Sequence, residues 1–161
     1  MSSLRFFEPL SASNNYVRQA NIYFSSRSPD QRPYTPWFGT PDNERKSIVA
    51  SHFEKIGEQA TSNDYDCTCD MSHVYAYVYP DTPGMVYLCP QFWEAPMVGV
   101  DSKAGTIVHE NSHFYQNGGT EDHEYGQTGC RGLAENDPDK AIRNADSHEY
   151  FVEGLPSSAS T

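Results

Sequence analysis

The sequence predicts an α+β fold, mostly helical, with a small antiparallel β-sheet, in a single domain spanning residues 1–161. Three observations carry this prediction. Apolar residues recur at helical spacing through the first sixty positions, two short β-rich runs flank the turn-forming stretch "PDTPG", and three further helical stretches follow. A length of 161 residues suits one ordinary domain with a sizeable core and is short for two.

The first helix is expected from about Ser11 to Phe24, with Tyr16, Ala20 and Tyr23 on one face. Pro29, Pro33 and Pro36 break that pattern, so the segment that follows reads as a loop, anchored to the core by Trp37 and Phe38. Asp42 or Asn43 can cap a second helix running to about Ala60, with Val49, Phe53 and Ile56 buried. Val74 to Tyr79 and Met85 to Cys89, rich in β-branched and aromatic residues, read as a hairpin. Ile107, Val108 and Phe114 mark a helix from Ala104 to about Gln116 that Gly118 and Gly119 end. Helix is expected again from Gly126 to Glu135, and from Pro138, which suits a first helical turn, to about Phe151. Residues 152–161 read as a flexible tail. There is no internal repeat or heptad run.

A formal charge of −11, with no cluster of Lys or Arg to offset it, excludes a nucleic-acid partner and favours cationic ligands. No apolar run approaches the roughly 18 residues of a membrane span, and the N-terminus lacks the apolar core of a signal peptide. Cys67, Cys69, Cys89 and Cys130 fit no familiar zinc spacing, so disulfides and an oxidising compartment are expected.

The chemistry concentrates in "HENSH". His109 and His113 stand at i and i+4, which puts both imidazoles on one helical face about a turn apart. That spacing supplies two of the neutral nitrogens a zinc ion needs, and Glu110 beside them can take the proton of a water activated at the metal. This is the zincin signature. A third protein ligand must come from downstream. The metzincin continuation fails, because Gln116 and Gly119 stand where glycine and histidine are required. Glu135 on the next helix is one candidate. Asp122 is the other, nine residues after His113 and just past a diglycine that lets the chain reverse.

"GTEDHEYG", Gly119 to Gly126, resembles the Gly-Thr-x-Asp-x-x-Tyr-Gly motif that follows His-Glu-x-x-His in the aspzincins, the deuterolysin class of metallopeptidases. The similarity is closest to the fungal peptidyl-lysine metalloendopeptidases. It runs from about Tyr34 to Phe151 through "YTPWFG", "DCTC", "AYVYP", "VYLC", "FWEAP", "DPDKA" and "NADSHEYF", and the first thirty residues match only loosely. The resemblance implies a zincin-type domain, its sheet flanking the active-site cleft, that holds one Zn2+ on His109, His113 and Asp122. It further implies Glu110 as general base and Tyr125 as hydrogen-bond donor to the developing oxyanion. His123 and Glu124, at variable positions of the motif, are expected at the surface.

Asp146 and Glu149, three residues apart, share a helical face, where two carboxylates repel unless a cation lies between them. In the peptidyl-lysine members the matching pair recognises lysine at P1′, the residue just after the scissile bond. The expected substrates are therefore proteins or peptides with lysine at P1′, cut on its amino side. His148, between the two acids, reads as structural. The resemblance pairs Cys69 with Cys89. It leaves Cys67 without its usual N-terminal partner, so either Cys67 joins Cys130 or both stay free. Family members are secreted precursors trimmed to a mature domain, and the chain reads as such a domain, a monomer, with Met1 as an added initiator. A deuterolysin-like enzyme of broader specificity and a zinc-stabilised binding module without turnover are the competing readings.

Overall fold

The computed structural model describes residues 3–156, with side chains from Phe6 onward; the end of the expected tail, residues 157–161, lies outside the described residues. Helix α1 (Ser3–Ser25) starts earlier than its periodicity suggests and carries Pro9 inside it. Phe6, in the added turns, packs edge-on against Tyr65, with ring centroids 5.1 Å apart, which gives those turns tertiary support. Leu10, Ser13, Asn14, Val17 and Ala20 form the buried stripe at spacings of three and four.

The proline-rich loop contains a single-turn helix, α2 (Thr35–Phe38), whose Trp37 and Phe38 are buried as expected. Helix α3 (Asn43–Ile56) is capped by the Asp42 side chain on the Arg45 N–H and ends at Gly57, short of Ala60. A 3-10 turn at Gln59–Thr61 leads into the sheet.

The sheet has three short strands, β1 (Asp64–Asp66), β2 (Ala76–Tyr77) and β3 (Met85–Leu88), in the order β1-β3-β2. The expected hairpin is present, because β2 and β3 pair antiparallel with Tyr77 opposite Tyr87, their rings stacked at 4.7 Å. The sheet is mixed, however, since β1 adds parallel to β3. "DYD" is too short and too polar to signal a strand; long-range pairing decides it. Cys69 and Cys89 form a disulfide with Cα atoms 4.8 Å apart, which ties the segment after β1 to the end of β3. Cys67 is exposed and Cys130 buried, and both are free thiols, which settles the alternative left by the sequence.

After α4 (Pro90–Glu94), helix α5 (Lys103–His113) runs through the molecule with Ala104 to His113 all buried. Val108 belongs to one apolar cluster, with Phe38, Phe53 and Phe151, and Ile107 to a second, with Val86, Leu88 and Phe92. The helix carrying the histidines is thus wedged between both cores, which fixes it rigidly. Helix α6 (Gly126–Asn136) follows. The expected helix from Pro138 to Phe151 is divided into α7 (Pro138–Ala141) and α8 (Ala145–Gly154), and α8 takes in residues 152–154 of the expected tail because Val152 is buried in the core. At the break, the Glu121 N–H donates to the Arg143 carbonyl (2.8 Å) and the Ala145 N–H to the Glu121 carbonyl (3.0 Å). The chain leaves the helical ladder there to pair with a distant segment. Among the described residues no helix is long and apolar enough to cross a membrane.

Candidate active site

Ser102 caps α5 by accepting a hydrogen bond from the Gly105 N–H (2.9 Å), so His109 and His113 sit on a helix with a defined start. The helix stops at His113. A 3-10 turn at Tyr115–Asn117 then leads to Gly118 and Gly119, both at positive φ (132° and 61°), a reversal that non-glycine residues make only at a cost. At Gly118 a side chain would also collide with the His52 ring. The Thr120 N–H returns to the Ser112 carbonyl (3.0 Å), which brings Asp122 back over the helix.

His109 Nε2 lies 3.1 Å and His113 Nε2 3.2 Å from the same Asp122 Oδ1. Three zinc ligands at bond lengths near 2.1 Å in a tetrahedral array stand about 3.4 Å from one another. The spacing therefore matches a shared ion. The other ring nitrogens are already engaged: His109 Nδ1 meets Asp146 Oδ1 at 2.7 Å and His113 Nδ1 donates to the Thr120 carbonyl at 2.7 Å. With Nδ1 protonated, each Nε2 presents its lone pair toward Asp122, the arrangement a metal requires. Burial opposes charge on these imidazoles, yet the carboxylates of Asp122 and Asp146 overcome it and raise His109 well above its ordinary pKa. For Asp122, burial pushes upward but the two imidazoles hold the carboxyl far below the usual range. Such a donor set asks for a cation at its centre, and a divalent metal suits it.

Glu110 is 5% exposed, with Oε2 3.8 Å from His109 Nε2. Burial raises its pKa, partly offset by both imidazoles, which moves it toward the range useful for taking and returning a proton. Tyr125 is 65% exposed, so it is not core filling, and its ring lies parallel to that of His109 with centroids 6.5 Å apart. Burial, then the charge of Asp122, pushes its phenol up to about 12, so it stays a hydrogen-bond donor. Asp146 and Glu149 stand in the first turns of α8, both buried, with Glu149 Oε1 3.5 Å from His109 Nδ1. All seven residues line one cavity of about 860 Å3, whose lining among the described residues contains no Lys or Arg. Glu135 is exposed on α6 and outside this cavity, which removes it as third ligand.

A family model described as lysine-specific metallo-endopeptidase, that of the aspzincins, matches residues 23–153. The chain belongs to this family. A peptidyl-Lys metalloendopeptidase of Pleurotus ostreatus is 47% identical over 150 residues, covering 92% of this chain and 89% of that protein. One from Grifola frondosa is 47% identical over 147 residues, covering 91% of this chain but 42% of that protein, and an extracellular protease of Aeromonas hydrophila is 45% identical with 43% of it covered. The aspzincin chain described here thus spans about two-fifths of the length of those two relatives. The solved structure of a zinc peptidase from Grifola frondosa superposes with a TM-score of 0.90 at 44% identity, covering 95% of this chain and 96% of that one. The mostly helical zincin-like fold expected from sequence is the fold of this aspzincin.

Sequence reasoning missed the residues that hold the ligands in place. Asn144 Oδ1 accepts from the N–H groups of His123 (2.9 Å) and Glu124 (3.0 Å), and its Nδ2 donates to Ser147 Oγ (3.0 Å), so one buried amide secures the Asp122 loop. No local signal marks it, because the sequence places Asn144 within one continuous helix and its side chain makes no capping bond. Thr120, whose hydroxyl pairs with Ser112 Oγ at 2.6 Å, had no signal either. His148 is fully buried and pairs through Nε2 with His52 Nδ1 at 2.9 Å, a structural role as expected. His123 is half-buried rather than fully at the surface, and Glu124 is exposed as expected.

Proposed function

We propose that this aspzincin is a secreted zinc endopeptidase that hydrolyses peptide bonds on the amino side of lysine. The observation that carries the reading is the convergence of His109 Nε2, His113 Nε2 and Asp122 Oδ1 beside a buried Glu110, inside a cavity large enough for several peptide residues. A zinc ion held by those three atoms would polarise the peptide carbonyl and acidify a water molecule. Glu110 takes the proton of the attacking water and returns it to the leaving amine. Tyr125, whose ring lies parallel to that of His109 in the cavity wall, donates its hydroxyl hydrogen bond to the oxyanion as charge develops there. Asp146 fixes the tautomer and orientation of His109.

The edge strand β2 lines the cavity, so its outer backbone groups are available to pair with an extended substrate. The acidic, Lys- and Arg-free lining supports a cationic side chain at P1′, with Glu149 and Asp146 as its expected partners. The disulfide and the extracellular naming of one relative support secretion.

Casein digestion by wild type, by chelator-treated wild type and by Glu110→Gln tests the reading. Digestion should stop in both altered samples while Glu110→Gln keeps one zinc per chain. Full activity in Glu110→Gln would remove the general base. Peptides differing only in Lys, Arg or Leu at P1′ test specificity, and equal turnover of all three would remove the lysine subsite.

A further inference from the structure

Of the carboxylates that line the cavity besides Asp146 and Glu149, Asp101 is the one that clusters with Glu149. Both oxygens of Asp146 already hold hydrogen bonds, Oδ1 with His109 Nδ1 (2.7 Å) and Oδ2 with the Gly126 N–H (2.8 Å). Its geometry serves the metal ligand and the start of α6. Glu149 differs. It is 4% exposed and lines the cavity; beside it stand His109 Nδ1 at 3.5 Å, already given to Asp146, and the protonated Glu153 carboxyl, which can donate to it. One neutral carboxyl is a weak partner for a buried carboxylate, and a cationic guest on the cavity side would add the charge that burial demands.

Asp101 faces it. One oxygen each from Asp101, Glu149 and Glu153 lie within 4.8 Å of one another, and Asp101 lines the same cavity. Two acceptors bonded to a single ammonium nitrogen at ordinary hydrogen-bond lengths stand about 4.6 Å apart, so one lysine Nζ can reach Asp101 and Glu149 together. Glu153 lies outside the lining, and burial with Glu149 beside it pushes its carboxyl up to about 10, so it adds no charge at neutral pH.

Asp101 is also held in place at a conformational cost. Among the described residues it is the only non-glycine at positive φ (53°). Its N–H is caught by Glu153 Oε1 (3.0 Å), and its Oδ1 accepts the Tyr150 hydroxyl (2.6 Å). Tyr150 is itself fixed by stacking on Trp37 at 5.0 Å. Backbone strain persists where surrounding contacts over-determine it, and here they aim a carboxylate at the cavity while leaving Oδ2 without a hydrogen bond.

We infer that Asp101 is a specificity-determining residue of the lysine subsite, sharing the P1′ ammonium with Glu149 while Asp146 mainly orients His109. The inference rests on the proposed Xaa-Lys reading. Substitution Asp101→Asn suits the test, because asparagine tolerates left-handed backbone and keeps an acceptor for Tyr150 while losing the charge. Asp101→Gly is a second variant that accepts the same φ without any side chain. Steady-state kinetics on peptides with Lys or Leu at P1′, together with zinc content, give the readout. Both variants should keep one zinc per chain, raise KM for the lysine peptide about tenfold or more, and leave kcat within about twofold and the slow leucine rate unchanged. An unchanged KM for lysine, or an equal loss on lysine and leucine peptides, overturns the inference. If wild type itself shows no preference for lysine, the underlying reading has failed instead, and the two failures are distinct.

Discussion

Asp146→Asn separates the two roles open to that carboxylate. Asp146 Oδ1 meets His109 Nδ1 at 2.7 Å and Oδ2 accepts from the Gly126 N–H at 2.8 Å. An amide placed there satisfies only one of them. If its oxygen accepts from His109, its NH2 confronts the Gly126 N–H, donor against donor; if it flips, His109 loses its acceptor. Leaving one such buried donor unpaired costs about 1–3 kcal/mol. Loss of an outer partner of a ligating histidine also typically weakens metal binding by about 10–100-fold. The expected result is therefore a zinc affinity lowered about 10–100-fold, measured by competition with a chromogenic chelator, and a lower Tm for the metal-free protein. With zinc saturating, KM for a P1′ lysine peptide should rise less than it does in Glu149→Gln. A zinc affinity within twofold of wild type, with a large rise in lysine KM, would refute the reasoning and return Asp146 wholly to the substrate subsite.

Two other outcomes follow from contacts beyond the metal. Asn144→Ala removes the acceptor for the His123 and Glu124 N–H groups and should weaken zinc binding and lower Tm by an amount corresponding to about 1–3 kcal/mol, although Asn144 touches no ligand; calorimetry and chelator competition check it. The buried His52–His148 pair makes stability depend on pH. Burial, then the charge of Arg143, lowers His52 to about 4, and burial holds His148 well below its ordinary value. Unfolded histidine titrates near 6.5, so the unfolded chain takes up protons that the folded chain refuses; the contribution is complete above that pH and is lost as pH falls toward 4. For His52 the loss is about 3 kcal/mol at full development. The difference in unfolding free energy between wild type and His52→Asn, followed from pH 7 to pH 4 in chelator, should shrink with acid, and a pH-independent difference would contradict this account.

The longer helices were legible because apolar residues recur at regular spacing along them, whereas the short α2 and α4 are each too brief to show a period. Strand β1 was not legible, because three residues of "DYD" become a strand only by adding to β3. The division of the last predicted helix escaped for the same reason, since its cause is the bridge between Glu121 and Asn144, twenty-three positions apart. The candidate ligand group could be read because His109 and His113 share one helical turn and Asp122 follows a diglycine reversal, both short-range signals.

Sequence alone determined the candidate ligand types, their spacing and the acidic charge of the chain, since side-chain chemistry and helical periodicity are properties of neighbouring residues. Tertiary structure decided which acceptor each imidazole Nδ1 takes, that Asp146 is committed to His109, and that Asp101 approaches Glu149 from the loop before α5. The His109–Asp146 and Asp101–Glu153 pairings join α5, α8 and their connecting loops across gaps of 37 and 52 residues, where only the packed core can set distances to within a hydrogen bond.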